Sequence, residues 1–388
     1  MNPQAQRADA DNDCVLVLQG GGALGSYQAG VFEVLSQQWR QPTWLAGISI
    51  GAINAALIAG NPPQQRVARL REFWELVSSA PSVPSALTHT TPRAMLNEAS
   101  AAQAMAFGVP GFFAPRFPPA PWQPRGTPAA ISWYDTSQLA QTLQRLVDFE
   151  RLNAGAVRLA VGAVNVRSGN FVYFDSARQR IDVRHIMASG ALPPGFAPVE
   201  IDGEHYWDGG LVSNTPLQYV LDQPAGARRR VVFQVDLFPA AGELPADLAE
   251  VSQREKDIRF SSRTRLNTNN QLDRQVIAQA LQRLLAKLPA ALRDDPDARA
   301  LARLRSDAAI DVVHLIYRSA HDERQSKDYE FSRRSMQEHW DAGRADMART
   351  LHDPRWTNHP QSASGVHVFD LGGESAAAAP RTSTRSHP

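Results

Sequence analysis

Residues 44–53 read WLAGISIGAI, a short apolar run followed by a serine between two glycines. Ser49 has Gly47 two positions before it and Gly51 two positions after it, which is the Gly-x-Ser-x-Gly pattern of a nucleophile elbow. At such an elbow the serine lies on a strained strand-to-helix turn that exposes its hydroxyl group, and larger residues than glycine would collide with the strand and the helix. The apolar run predicts a buried strand, and residues 52–59 predict a buried helix.

A glycine-rich stretch, GGGALG at residues 20–25, precedes the elbow. It follows an apolar strand predicted at 14–18 and opens a helix predicted over 26–38. Free backbone N–H groups at the start of a helix can stabilise a developing oxyanion. We therefore predict an oxyanion hole formed by Gly20, Gly21, Gly22, Gly25 and the residue after the serine, Ile50.

The same glycines also fit two nucleotide-binding patterns, and both interpretations fail. A dinucleotide-binding fold needs an acidic residue about twenty positions after the glycines, at the end of the second strand. Here that strand ends at Leu45 and Ala46, directly before the elbow, and no carboxylate is available. A phosphate-binding P-loop would need Gly-Lys-Ser/Thr after the run, which is also missing.

A third motif, Asp208-Gly209-Gly210, follows a predicted β-hairpin. Residues 198–201 and 204–207 form its strands, with a glycine turn between them. Asp208 therefore lies at the exit of the second strand, where the two glycines let other backbone pass close by.

The three motifs, in this order, resemble the patatin-like phospholipase family over roughly residues 13–240, and the rest of the chain resembles a bacterial subgroup with a C-terminal extension. The resemblance implies a three-layer α/β/α fold with a mostly parallel central sheet and the elbow after the second strand. It also implies that Asp208 is the base of a catalytic dyad with Ser49 and that no histidine is needed. One departure is Leu24, where many members carry Arg or Lys to order the oxyanion loop.

The resemblance implies a serine acyl hydrolase that cleaves carboxylic ester bonds of lipids, of the phospholipase A or lipid acyl hydrolase type. Two alternatives stay open: an esterase or thioesterase for short or hydroxyacyl esters, and a non-catalytic assembly protein on the same fold. A Ser-His-Asp triad is a further design. For its candidate histidines, His185, His205 and His314, we favour structural roles.

Composition narrows the remaining function classes. The 388 residues carry a net charge of +1, so no bulk charge attracts nucleic acid or anionic membranes. No metal-ligand cluster is recognisable, and we expect neither a metal nor a cofactor. Residues 1–12 lack the apolar core of a signal peptide and no run of eighteen apolar residues occurs, which predicts a cytoplasmic protein.

The chain divides into segments of different composition. We predict a disordered N-terminus (1–12), a catalytic domain (13–240) with a Pro- and aromatic-rich cap-like insertion (80–136), a partly helical C-terminal extension (241–371) and a disordered tail (372–388). The sheet is expected to end with a strand at 230–237, and a further strand is predicted at 311–317.

The insertion is expected to cover an acyl pocket beside Ser49. Its aromatic residues on a proline-stiffened loop argue against disorder. The pocket candidates are Phe112, Phe113, Phe117 and Trp122. The expected partners are a lipid or acyl-ester substrate, a membrane surface in transient contact, and a second copy of the chain bound through the C-terminal extension, with no nucleic acid.

Overall fold

The computed structural model describes residues 13–80, 92–223, 229–289, 292–293, 295–302, 309–318, 323–358 and 365–371. The predicted disordered segments, 1–12 and 372–388, lie outside the described residues.

The strands are β1 (Asp13–Leu18), β2 (Trp44–Gly47), β3 (Ala114–Pro115), β4 (Tyr134–Asp135), β5 (Arg158–Asn165), β6 (Phe171–Asp175), β7 (Val199–Ile201), β8 (Glu204–Asp208), β9 (Arg230–Asp236), β10 (Ala309–Ile316) and β11 (Gly365–Asp370). The helices are α1 (Gly25–Gln38), α2 (Ile50–Ala59), α3 (Arg66–Val77), α4 (Arg93–Phe107), α5 (Ser137–Leu146), α6 (Phe149–Asn153), α7 (Val183–Ser189), α8 (Leu217–Asp222), α9 (Leu248–Ala286), α10 (Pro296–Ala302), α11 (Arg333–His352) and α12 (Pro354–Thr357).

Within the described residues, nine strands form one mixed sheet in the order β11-β10-β9-β1-β2-β5-β8-β7, with β6 also paired to β5. The strands from β11 to β5 are parallel, whereas β6 and β8 run antiparallel to β5. The short strands β3 and β4 pair separately. The predicted mostly parallel α/β fold is confirmed.

The central strand β1 is buried on both faces. Its residues Cys14, Leu16 and Leu18 belong to one apolar core, and Val15 and Val17 belong to a second core on the opposite face. A strand covered on both sides by helices is apolar at every position, which is why residues 14–18 show no alternation. Helices α1, α2, α3 and α11 cover the first face, α8 lies on the second, and α9 contacts α8 and β11.

Helices α1 and α11 cross closely because each carries a glycine at the contact. A Cβ atom at Gly30 would lie 2.0 Å from the carbonyl oxygen of Trp340, and one at Gly343 would lie 2.1 Å from that of Tyr27. The Tyr27 hydroxyl group donates to Asp346 at 2.7 Å. The C-terminal extension therefore packs directly on α1, the first helix of the N-terminal region.

One expectation about organisation is wrong. The sheet does not end near residue 237, because β10 pairs with β9 and β11 pairs with β10 in the same parallel sheet. The segment predicted as an insertion, 80–136, contains the fifteen-residue helix α4, which the sequence pattern does not predict. None of the described helices combines the length and the apolar character needed to cross a membrane.

Candidate active site

Ser49 lies between β2 and α2 with φ 55° and ψ −123°, a left-handed conformation that is unusual for a residue with a side chain. A Cβ atom at Gly47 would lie 2.4 Å from the carbonyl oxygen of Gly51, and one at Gly51 would lie 2.4 Å from that of Leu18. The Ser49 N–H group donates to Ser189, at 3.1 Å to its carbonyl oxygen and 3.0 Å to its hydroxyl oxygen. Close backbone packing and Ser189 thus hold the strained turn.

Asp208 is the last residue of β8, and its side chain is buried beside Ser49. The Ser49 hydroxyl group lies beside the Asp208 carboxylate and interacts with it. The Gly210 N–H group donates to the same carboxylate at 2.7 Å, and Asp208 N–H itself donates to the carbonyl oxygen of Ala191 at 3.0 Å. Burial raises the pKa of Asp208 to about 6, while the hydrogen bonds from Ser49 and Gly210 lower it.

The glycine loop approaches Ser49 from the end of β1. Gly20 donates its N–H to the carbonyl oxygen of Asn214 at 3.2 Å, and the Asn214 amide donates back to the carbonyl oxygen of Gly20 at 2.9 Å. A Cβ atom at Gly20 would lie 2.4 Å from Oδ1 of Asn214 and 3.1 Å from Cβ of Ser49. Asn214 therefore fixes the loop against Ser49, a role that the sequence motifs do not assign to it.

Three backbone N–H groups are available beside the serine. In the part of the chain that the structure describes, the N–H groups of Gly21, Gly22 and Ile50 donate to no acceptor, whereas Gly25 donates to the carbonyl oxygen of Gly22. Gly25 instead allows close packing, because a Cβ atom there would lie 2.6 Å from the side chain of Ile50. An oxyanion can thus be held by the glycine loop and by the N-terminus of α2.

The two glycines after Asp208 have different surroundings. A Cβ atom at Gly209 would lie 2.7 Å from the carbonyl oxygen of Gly162 on β5. Gly210 faces the site, where a Cβ atom would lie 3.1 Å from Oδ1 of both Asn214 and Asp208. Only a residue without a side chain leaves this space open next to the carboxylate.

Ser49 and Asp208 lie at a cavity of about 530 Å³ with largely apolar walls. The aromatic side chains that line it are Phe112, Phe113, Tyr134, Phe196, Phe238, Phe260, Tyr329 and Phe331. Several of these rings contact one another, and Phe112 has its ring centroid 5.5 Å from Phe113 and 5.9 Å from Phe331. A cavity of this kind suits an apolar ligand that presents a polar bond to the serine.

The four aromatic residues predicted for the pocket separate into two pairs. Phe112 and Phe113 are buried and line the cavity. Phe117 is 93% exposed and Trp122 is 77% exposed, and neither lines the cavity. The insertion therefore contributes aromatic side chains both to the cavity and to the protein surface.

The C-terminal extension forms the opposite wall of the cavity, through Lys256, Arg259, Phe260, Asp328, Tyr329 and Phe331. The Lys256 ammonium group donates to the carbonyl oxygen of Gln325 at 2.6 Å and to the carboxylate of Asp328 at 2.7 Å. Gly22 has φ +54°, and a Cβ atom there would lie 2.0 Å from the carbonyl oxygen of Asp328. The extension thus packs against the glycine loop itself, which no sequence motif indicates.

Leu24 is fully buried in the core and brings no charge to the loop. The cations that line the cavity, Lys256 and Arg259, come instead from α9. None of the three candidate histidines lines the cavity. His185 forms the capping box of α7 with Asp182, His205 is exposed on β8, and His314 lies on β10, where burial lowers its pKa.

Comparison with protein families gives two matches. Residues 16–221, more than half of the chain, match a family described as patatin-like phospholipase. Residues 258–363 match a second family, described as patatin phospholipase. No curated protein matches the chain.

Solved structures give more distant matches. VipD from Legionella pneumophila is 14% identical with a TM-score of 0.38, and the match covers 88% of this chain and 67% of VipD. The type III effector ExoU is 13% identical with a TM-score of 0.33, and the match covers 88% of this chain and 53% of ExoU. The chain thus spans about half the length of ExoU.

Proposed function

Because the chain belongs to the patatin-like phospholipase family, we propose that it is a serine acyl hydrolase that cleaves carboxylic esters of lipids through a Ser49–Asp208 dyad. The observation that carries the proposal is the placement of Ser49 beside the buried Asp208 carboxylate at an aromatic-lined cavity. Ser49 also lies beside three free N–H groups, so a nucleophile, a base and an oxyanion hole converge on one point.

The first half of the reaction forms an acyl-enzyme. Asp208 accepts the proton of the Ser49 hydroxyl group as the serine oxygen attacks the ester carbonyl carbon. The N–H groups of Gly21, Gly22 and Ile50 stabilise the oxyanion of the tetrahedral intermediate. The carbon–oxygen bond to the alcohol then breaks, and Asp208 returns its proton to the leaving alkoxide.

The second half repeats the same proton transfers with water. Asp208 takes a proton from a water molecule, and the hydroxide attacks the acyl carbon. The bond to Ser49 breaks, the proton returns to the serine oxygen, and the carboxylic acid leaves. A pKa of about 6 leaves Asp208 mostly ionised at neutral pH, which both proton-accepting steps require.

The cavity walls support a long acyl chain as the substrate group. Burying one methylene group contributes about 0.8 kcal/mol, or roughly fourfold in affinity. Phe112 and Phe113 are buried at the cavity, so they are the residues that would contact such a chain. We therefore propose that kcat/KM rises steeply with acyl length.

The nucleophile is tested by Ser49→Ala, which should lower ester hydrolysis by about six orders of magnitude without unfolding the protein. A fluorophosphonate probe should label wild type at Ser49. A tenfold loss only, or labelling at another residue, would contradict the dyad.

The acyl pocket is tested with p-nitrophenyl esters of two to sixteen carbons. The double variant Phe112→Ala/Phe113→Ala should flatten the dependence of kcat/KM on chain length and keep acetate hydrolysis. Phe117 is an exposed neighbour in the same segment, so Phe117→Ala is the matched control and should not change the dependence of kcat/KM on chain length. If acetate and butyrate are the best wild-type substrates, the short-ester alternative replaces the lipid substrate.

A further inference from the structure

The insertion beside the cavity exposes large aromatic side chains to solvent. Four of them are each more than half exposed, and we call them the aromatic rim: Phe107, Phe117, Trp122 and Trp133. Met105 is also more than half exposed. Single exposed apolar residues are common, but a group of large aromatics in one segment marks an interaction surface.

Backbone hydrogen bonds connect part of the aromatic rim, Trp133 and the residue before Phe117, to the lining of the cavity. The backbone N–H group of Trp133 donates to the carbonyl oxygen of Pro194, which lines the cavity. The carbonyl oxygen of Trp133 accepts a hydrogen bond from the backbone N–H group of Arg116. Phe117 follows Arg116 directly. Met105 lines the cavity while it is exposed, and its carbonyl oxygen accepts from the Tyr134 hydroxyl group at 2.8 Å.

The charged side chains of this segment are all positive. Between Glu98 and Asp135 the sequence contains no carboxylate, and it carries two arginines, Arg116 and Arg125. The guanidinium group of Arg116 donates a hydrogen bond to the Ser132 hydroxyl oxygen at 2.9 Å, beside Trp133 in the sequence. Exposed aromatic rings next to cations are complementary to an anionic lipid bilayer, which has negatively charged headgroups over an apolar interior.

We propose that the aromatic rim inserts into the surface of an anionic phospholipid bilayer and places the cavity mouth against the lipids. Trp and Phe side chains partition into the boundary between headgroups and acyl chains, and arginines attract the anionic headgroups. An acyl ester then enters the cavity without crossing water. This inference rests on the proposed function for the role of the cavity, whereas docking itself needs no hydrolysis.

Docking is measured with the full chain carrying Ser49→Ala, so that vesicles stay intact. Vesicles of phosphatidylglycerol and phosphatidylcholine should bind this protein more tightly than pure phosphatidylcholine vesicles, and salt should weaken the binding. Adding Phe117→Ser and Trp122→Ser should lower the vesicle partition coefficient about tenfold or more. Ile277→Ser with Leu284→Ser, two exposed residues of α9, is the matched control and should not change it.

Equal vesicle binding by the rim variant and the control variant would overturn the proposal. So would light scattering that shows a dimer in wild type and a monomer in the rim variant, because a second copy would then cover the rim. Failure of the proposed function gives a different pattern. In that case vesicle binding persists, but the wild-type protein hydrolyses neither soluble esters nor vesicle lipids.

Discussion

The two walls of the cavity are built in different ways. The motif wall consists of Gly20–Gly22, Ser49 and Asp208, and the extension wall consists of Lys256, Arg259, Phe260, Asp328, Tyr329 and Phe331. Backbone contacts and glycines position the motif wall, whereas the Lys256–Asp328 ion pair links the helix and the 325–329 segment of the extension wall. We therefore expect the reaction to depend on the motif wall, while the extension wall shapes the cavity and supports the loop.

After the loss of the nucleophile itself, the largest effect is expected at the base. Asp208→Asn keeps the shape of the side chain but removes the proton acceptor, so kcat/KM should fall by roughly 10⁴-fold or more. The measurement is kcat/KM on a soluble ester, with circular dichroism to verify folding. His185→Ala, His205→Ala and His314→Ala are the controls and should each keep most activity. A histidine variant that matches Asp208→Asn would place a triad in the motif wall.

The point where the two walls meet is tested by Gly22→Ala. Its Cβ atom would lie 2.0 Å from the carbonyl oxygen of Asp328, so the glycine loop must move and its N–H groups lose their alignment. We expect kcat to fall about 100-fold, as for the loss of an oxyanion-hole donor. Gly169→Ala is the matched control, because its φ is also positive but nothing lies within 4 Å. Equal loss in both variants would attribute the effect to backbone strain alone.

The pH profile sharpens the assignment of the base. Asp208 must be ionised to accept a proton, and its pKa is raised to about 6, so kcat/KM should be half-maximal near pH 6 and fall as the pH decreases. The loss should be about tenfold for each pH unit below that point. Asp236 is a second buried carboxylate, with a pKa raised to about 7 by burial, and it does not line the cavity. Asp236→Asn should leave the profile unchanged, and a shifted profile would contradict the assignment.

The smallest effect is expected in the extension wall. Lys256→Met removes the hydrogen bonds to Gln325 and Asp328 that support the segment against the glycine loop. Because the motif wall stays intact, kcat should fall only about threefold, as for the loss of one partly exposed ion pair. Arg259→Met is the control, since Arg259 is exposed and pairs with Glu255 on its own helix. A loss of 100-fold or more for Lys256→Met would show that the reaction depends on the extension wall as well as on the motif wall, which would contradict this comparison.

The residues of the site that can be predicted from the sequence belong to the motif wall, and those that cannot belong to the extension wall. Ser49, Asp208 and their glycines occur in short motifs, because a sharp turn imposes its requirements on residues close together in the chain. Lys256 and Asp328 contact each other across 72 positions, and their pairing depends on how distant segments of the chain pack. Lys256 is one of many charged residues on its helix, so nothing in the neighbouring sequence indicates this contact.

Two other features of the structure differ from the sequence-based expectations, and both differences have physical reasons. Helix α4 buries only Ala101 and Ala104, so its sequence has no apolar stripe to indicate a helix within a proline-rich insertion. The pairing of β10 with β9 is a contact between segments that a local pattern does not specify, although a strand at 311–317 is predictable from its apolar residues.

The pairing of β9 with β10 bears on how the protein can be divided. All seven residues of β9 are buried, and the strand lies between β1 and β10 within the sheet. If the chain were cut near residue 240, β9 would become an unprotected edge strand with unpaired backbone groups and apolar side chains on both faces. Such an edge is a template for aggregation through intermolecular strand addition. The boundary between the two regions is therefore a change in composition along the chain, and cutting there would not release an independently folding unit.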